Sequence, residues 1–229
     1  MLIVEIFTSK QGEGLWTGVE STFVRVGGCL LRCRYCDTPY AFGESGEGTE
    51  YCVDEILEIV RKHGQRHVVL TGGEPMLYAE LLPLTERLKA SGHLMTIETA
   101  GTLDLPVQCD LMSISPKLSN STPYGLKDAA KIARHEANRN RPEVVRNLIG
   151  RYSYQLKFVV DTENDLAEIE EYLKQFPDVL KDRVLLMPQG TDPEVLREKM
   201  TWILDYCRQS GFQPCPRMHI EWYGNQRGK

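Results

Sequence analysis

No run of eighteen or more apolar residues occurs in this sequence, so a membrane-spanning helix is not expected. The first residues, Met1 to Phe7, are apolar apart from Glu5 and carry neither a basic flank nor a small-residue cleavage site. No signal peptide is therefore expected, and a cytoplasmic location is. Basic charge is also short, with 27 Lys and Arg against 32 Asp and Glu and a net charge of −5. Nucleic-acid binders usually present a basic face. The Arg-rich stretch from Arg134 to Arg141 is mixed with polar residues and reads as a solvated helix end, so a small-molecule substrate is expected. There are no internal repeats and no low-complexity segments. The cysteines do not pair off, because there are seven and three fall in one loop. That usage fits a reducing compartment better than a disulfide framework. Cys207 and Cys215 are too few for a second cluster site and read as ordinary thiols.

The 229 residues suit one domain spanning 1–229, long enough to bury a sizeable core. Residues 2–7 and 20–26 read as strands, separated by a polar, Gly-rich loop. Residues 37–51, with Gly43, Gly46 and Gly48, read as irregular. Val53, Ile56, Leu57 and Val60 fall on one helical face, and Gly64 marks its end. Strands follow at 67–71, 94–98, 110–115, 154–160 and 183–188. Helices are expected from about Leu77 to Ala90, from an N-cap at Thr162, and from Asp192-Pro193. Residues 118–152 read less clearly, as a loop and then a broken helix with a stop at Pro142. Arg217 to Trp222 reads as a last strand. Strands alternating with helices imply a mostly parallel sheet. Six such units suggest an α/β fold, a partial, open (β/α)6-type barrel with extra N- and C-terminal strands. The active site of such a sheet lies at the C-terminal ends of its strands.

Two motifs lie at those ends. Cys29, Cys33 and Cys36 are spaced Cys-x3-Cys-x2-Cys. Thiolates suit iron–sulfur clusters, zinc and copper(I). A [4Fe–4S] cluster normally takes four thiolates, so three would leave one iron open. Structural zinc is the bland alternative, with Cys52 as fourth ligand, although no His stands nearby at finger-like spacing. The second motif is Gly72-Gly73-Glu74-Pro75, some 35 residues downstream, directly after a strand. Together, with Tyr35 just before the last cysteine, they resemble the radical S-adenosylmethionine (SAM) superfamily. That resemblance implies a [4Fe–4S] cluster on Cys29, Cys33 and Cys36, with SAM on the fourth iron and cleaved to a 5′-deoxyadenosyl radical.

A narrower resemblance rests on five motifs in order: Gln11-Gly12-Glu13-Gly14, Cys36-Asp37-Thr38, Thr71-Gly72-Gly73-Glu74-Pro75, Glu98-Thr99-Ala100-Gly101 and Ser115-Pro116-Lys117. The series is similar to the 7-carboxy-7-deazaguanine synthase family, over nearly the whole chain except 118–152 and the last residues. The resemblance implies a homodimeric, Mg2+-dependent carbon–nitrogen lyase. Such an enzyme turns 6-carboxy-5,6,7,8-tetrahydropterin into 7-carboxy-7-deazaguanine with loss of ammonia, on the route to queuosine and related deazapurines. It implies hydrogen abstraction from the pterin carbon bearing the carboxylate, then ring contraction, and a flavodoxin-like external one-electron donor. Thr38 would ligate Mg2+ together with substrate. Lys10, Gln11, Gly12, Thr71 and Glu98 would line the pterin site, and Arg25 would grip the substrate carboxylate. Tyr35, Cys36, Asp37, Gly73, the Ser115-Pro116-Lys117 turn and the Met187-Pro188-Gln189-Gly190 turn would bind SAM. Ala100 departs from the family's usual Asn. The tail from Gly224 to Lys229 differs from a relative whose terminal carboxylate reaches substrate, so no role is carried onto it. His219 reads as structural. The rivals are a glycyl-radical-enzyme activating protein, which shares the cluster loop, and a non-catalytic zinc-binding protein.

Overall fold

The computed structural model describes residues 1–42 and 47–229. Gly43 and Gly46 of the expected irregular stretch lie outside the described residues. The parallel strands are β2 (Glu20–Val26), β4 (His67–Gly72), β5 (Leu94–Thr99), β6 (Leu111–Ile114), β7 (Tyr154–Val160) and β8 (Val184–Pro188). The leading strand β1 (Leu2–Lys10) runs antiparallel to β2 and carries the two-residue β3 (Thr49–Glu50) on its other side. A short β9 (Gln213–Pro214) closes the far edge parallel to β8. Among the described residues the order is β3-β1-β2-β4-β5-β6-β7-β8-β9, so the sheet does not close on itself. This is the open, partial barrel that the alternation of strands and helices implied.

Alternation within each strand divides the sheet into two faces. Val68 and Leu70, Met95 and Ile97, Met112 and Ile114, Leu156 and Phe158, and Val184 and Leu186 all join one buried apolar core. In chain order come helices α1 (Val53–His63), α2 (Leu81–Ala90), α3 (Ala129–Arg139), α4 (Pro142–Arg151), α5 (Asn164–Leu173) and α6 (Pro193–Ser210). All of these other than α3 cover that face. Ile56 and Val60 of α1, Leu84 and Leu88 of α2 and Ile169 of α5 lie in the same core. The intervening residues point into the barrel, and many are polar: Thr71, Thr96, Ser113, Gln155 and Lys157 are buried there. A sheet covered by helices on one face and polar on the other needs partners for those polar groups.

Several helix boundaries follow from local chemistry. Gly64 ends α1 in the left-handed conformation at φ 75°, where glycine has no Cβ penalty. The helix expected from Leu77 begins only at Leu81, after a short 3-10 turn at Pro75–Leu77. Pro83 explains this, since proline is tolerated only in a helix's first turn. Pro142 both stops α3 and opens α4. Thr162 is not the cap of α5. Instead the Asp165 carboxylate reaches back to accept from the backbone N–H groups of Asp161 at 2.6 Å and Thr162 at 3.0 Å.

The expected last strand at Arg217–Trp222 is a helix, α7 (Met218–Tyr223). The buried residues here, Arg217 at its N-cap and Ile220 within it, are three apart, which is helical spacing. Six residues are too few for periodicity to separate the two forms. The edge of β8 is taken by Gln213 and Pro214 instead.

Ile97 sits in the central strand with no exposure. Ile97→Ala is expected to cost about 2–5 kcal/mol. A lower urea midpoint with an unchanged m-value would show it; an unaltered midpoint would place Ile97 outside the core.

Candidate active site

At the C-terminal ends of the strands, the inner face opens into a cavity of about 410 Å3, within the range for small-molecule sites. Cys29, Cys33 and Cys36 stand on one side of it. All three are free thiols and half-buried. Burial pushes Cys29 up to about 11 and Cys33 up to about 12, with Cys36 raising both and Cys29 raising Cys33. A metal must displace their protons to bind. Among the described residues, no three His, Cys, Asp or Glu side chains are placed to share a single metal ion. Cys52, the fourth ligand of the zinc alternative, lies away at the start of α1 and is exposed. Three thiols on a cavity wall, each free to take a separate iron, fit a cluster with one open position better than a closed zinc site.

The glycines at the end of β4 are there for close backbone approach. A Cβ on Gly73 would lie 1.9 Å from the Gly28 carbonyl oxygen, and one on Gly72 2.2 Å from that of Val26. Gly73 N–H donates to Val26 O at 3.0 Å and Glu74 N–H to Gly28 O at 2.8 Å. This contact seats the start of the cluster loop on the end of β4. Because the Gly73 N–H is used, its carbonyl is the group left for an ammonium donor. Glu74 has no exposure. Its carboxylate accepts from Thr99 Oγ1 at 2.8 Å, Ala100 N at 3.0 Å and Met76 N at 3.2 Å, tying the turn after β4 to the turn after β5. Burial raises its pKa, against the opposing pull of those donors.

Beside this turn, Glu98 near the end of β5 accepts from Gln11 Nε2 at 3.1 Å and Thr71 Oγ1 at 2.8 Å. Arg25 donates through Nε to Glu5 Oε1 at 2.7 Å. Phe7 and Phe23 stack beside it, centroids 5.0 Å apart and nearly parallel. Lys117 Nζ donates to the backbone and side-chain oxygens of Ser115 at 2.8 and 2.7 Å, with its charge close enough to lower all three cluster thiols. Lys10, Gly12, Tyr35, Asp37, Thr38 and the Met187–Gly190 turn also border the cavity. Of the residues singled out from sequence, Pro116 does not line it.

Sequence reasoning missed an ionic network inside the barrel. Glu13 is paired with Lys157 at 2.5 Å and with Arg217 Nε at 3.1 Å. Burial would raise its carboxyl, but Lys157 and then Arg217 hold it well below the ordinary range. Arg217 also pairs with Asp37, the neighbour of the last cluster cysteine. His219, read as structural on a strand, lies on α7 and lines the cavity, with Nδ1 3.9 Å from Glu13. Burial lowers its pKa despite that carboxylate. One signal was available, because Lys157 is the one charged residue of a buried strand and falls on an inward position. Two further features were missed. His135 is buried on α3 and accepts from Arg32 N at 3.1 Å, bracing the cluster loop from outside. The tail left without a role lies along the cavity, where Arg227 pairs with Glu5 at 3.0 Å and covers the Tyr40 ring at 4.1 Å.

A half-barrel with three thiols and a glycine turn at the strand ends is the arrangement of a radical SAM protein, and the Radical SAM superfamily model matches residues 23–116. A 7-carboxy-7-deazaguanine synthase from Rhodopirellula baltica is 45% identical over 230 residues, covering 100% of this chain and 88% of that relative. One from Halobacterium salinarum is 38% identical, covering 95% of this chain and 88% of the relative. The crystal structure of QueE from Escherichia coli superposes with a TM-score of 0.69 at 24% identity, covering 95% of this chain and 94% of that one. The chain belongs to the 7-carboxy-7-deazaguanine synthase family.

Glu13 gives a pH signature. Its folded pKa is depressed, so its contribution to stability is complete above its ordinary value of 4.5 and is lost as pH falls below it. Glu13→Gln is expected to lower the urea midpoint at neutral pH, with the gap to the parent narrowing below pH 4.5. A gap independent of pH would contradict the pairing.

Proposed function

We infer that the cavity is the active site of a radical SAM lyase that converts 6-carboxy-5,6,7,8-tetrahydropterin to 7-carboxy-7-deazaguanine and ammonia. The observation that carries this reading is a single cavity lined by both the three thiols and the Gln11–Glu98–Thr71 network. Family membership supplies the reaction. Substrate equals product plus ammonia, so there is no net oxidation. The cluster, when bound, supplies an electron for reductive cleavage of SAM and so a radical that takes hydrogen from substrate. The protein's own share is binding, orientation and exclusion of water.

Cys29, Cys33 and Cys36 would hold the cluster. The Gly73 carbonyl, the Ser115-Pro116-Lys117 turn and the Met187–Gly190 turn would hold SAM. Ser115 and Lys117 reach the cavity directly, and Pro116 shapes their turn. Glu98 would accept from the adjacent N–H donors of the aminopyrimidinone ring, held in place by Gln11 and Thr71. Arg25, oriented through Nε by Glu5, would meet the substrate carboxylate with its planar fork. Thr38 borders the cavity two residues after the last cluster cysteine. A neutral hydroxyl with water and substrate oxygens suits Mg2+. Lys10 and Gly12 complete the pterin side. Asp37 is committed to Arg217, so its part in SAM binding is to hold the loop.

The same reading makes residues 1–229 one catalytic domain, supported by the sheet that runs through it. It also makes the chain a homodimer that draws single electrons from a flavodoxin-like donor, supported by the family resemblance. No helix among the described residues is long and apolar enough to cross a membrane.

Anaerobic reconstitution with iron and sulfide, followed by SAM, dithionite, Mg2+ and the carboxypterin, tests the reading. A product lighter than substrate by one ammonia is expected, with no protein partner added. SAM cleavage without pterin conversion would reject the substrate. Zinc at one per chain without iron would reject the cluster. Thr38→Ala is expected to retain the cluster but to need about tenfold more Mg2+ for half-maximal rate, the equivalent of one lost ligand contact of about 1.4 kcal/mol. An unchanged Mg2+ response would remove Thr38 from the metal site.

A further inference from the structure

The three loops given separate duties above meet on one side chain. Arg217 lies between β9 and α7 and is 7% exposed. Its Nε donates to Glu13 Oε1 at 3.1 Å. Its Nη1 donates to the Gly190 carbonyl at 2.5 Å. Its Nη2 donates to Asp37. Glu13 belongs to the loop that carries Gln11 and Gly12. Gly190 ends the turn assigned to SAM. Asp37 follows the last cluster cysteine. Each nitrogen of the fork thus engages a different loop, and those loops come from widely separated parts of the chain.

The surroundings make this an ionic joint rather than a chance contact. Two cations, Lys157 and Arg217, face two carboxylates, Glu13 and Asp37. Glu13, Lys157 and Arg217 are largely buried, and Asp37, at the exposed end, brings the set to charge balance. Met218 N–H donates to the Gly12 carbonyl at 2.9 Å, so the backbone beside Arg217 is fixed to the same loop. Only a planar group with donors in three directions can serve all three loops at once. A lysine ammonium at the end of a flexible stem cannot reproduce that geometry.

We propose that Arg217 is a positioning residue that locks the substrate loop, the SAM turn and the cluster loop into one register, so that SAM cleavage is coupled to hydrogen transfer from substrate. The proposal rests on the functional reading above. It acts through distance, because a misplacement of about 1 Å between reacting groups can cost on the order of 100-fold in rate. Cleavage of SAM needs only the cluster side of the cavity. Loss of register therefore separates the two events instead of abolishing both.

Arg217→Gln and Arg217→Lys test this in the full chain. Iron per chain and the electron paramagnetic resonance signal of the reduced cluster are expected to match the parent. Product formation should fall about 10- to 100-fold, with more 5′-deoxyadenosine released per product. In the chain without ligands, amide hydrogen exchange should quicken in residues 11–19, 36–38 and 188–191 together, with the strands unchanged. Lysine should share these effects. Parent-like coupling in either variant, or faster exchange confined to 215–219, would overturn the proposal. So would full rescue by lysine, which would make charge sufficient. If the glutamine variant does not fold, the lysine variant carries the same measurements. If the parent itself fails to convert the carboxypterin, the functional reading falls, while the exchange experiment still decides whether Arg217 joins the three loops.

Discussion

Glu13 is a carboxylate buried inside a barrel, and the site depends on how its charge is met. An unpaired carboxylate there would be prohibitively costly, so Lys157 and Arg217 must stand against it. That demand fixes where three distant segments go. It draws the loop after β1 into the barrel. It selects an inward position on β7 for a lysine. It holds the segment after β9 against the cavity rather than along the edge of β8. Through Asp37 the same network reaches the cluster loop. Removing Glu13, Lys157 or Arg217 would leave a buried charge uncompensated, so these three are stable only as a set.

A second constraint is uncharged. Val26 to Gly28 and Gly72 to Glu74 lie backbone against backbone, at distances that leave no room for a Cβ on Gly72 or Gly73. Glu74 then fastens that contact to the next strand end through Thr99 and Ala100. The cluster loop therefore starts from a rigid seat, while the thiols themselves remain on the cavity wall. The Ala100 departure is consistent with this arrangement, since the contact to Glu74 uses its backbone N–H and needs no amide side chain.

Much of this was legible in the sequence because it is local. The six parallel strands carry short apolar runs followed by glycine or polar turns, and each was found to within a residue or two. The cysteine spacing and the Gly-Gly-Glu-Pro turn mark positions where few other residues fit. The longer-range features were not legible. Arg217, His219 and Lys157 matter because of Glu13, which lies some 140 to 200 residues away. No periodicity reports such a pairing. Arg217 to Trp222 also has an alternation that a strand and a short helix share, and only the packing of Arg217 and Ile220 separates them. His135 was hidden in a basic stretch that looked wholly solvated, although its ring is buried against the cluster loop.

The account holds that the thiol side and the pterin side of the cavity serve one reaction. The most direct measurement uses 6-carboxytetrahydropterin deuterated at the carbon bearing the carboxylate, turned over anaerobically by the reconstituted chain. Hydrogen transfer requires the two bound molecules to be in contact. Deuterium in the 5′ position of recovered SAM or 5′-deoxyadenosine, together with formation of the deazapurine, is the expected result. Unlabelled SAM and 5′-deoxyadenosine alongside normal product would contradict the account, because substrate would then be activated somewhere other than across this cavity.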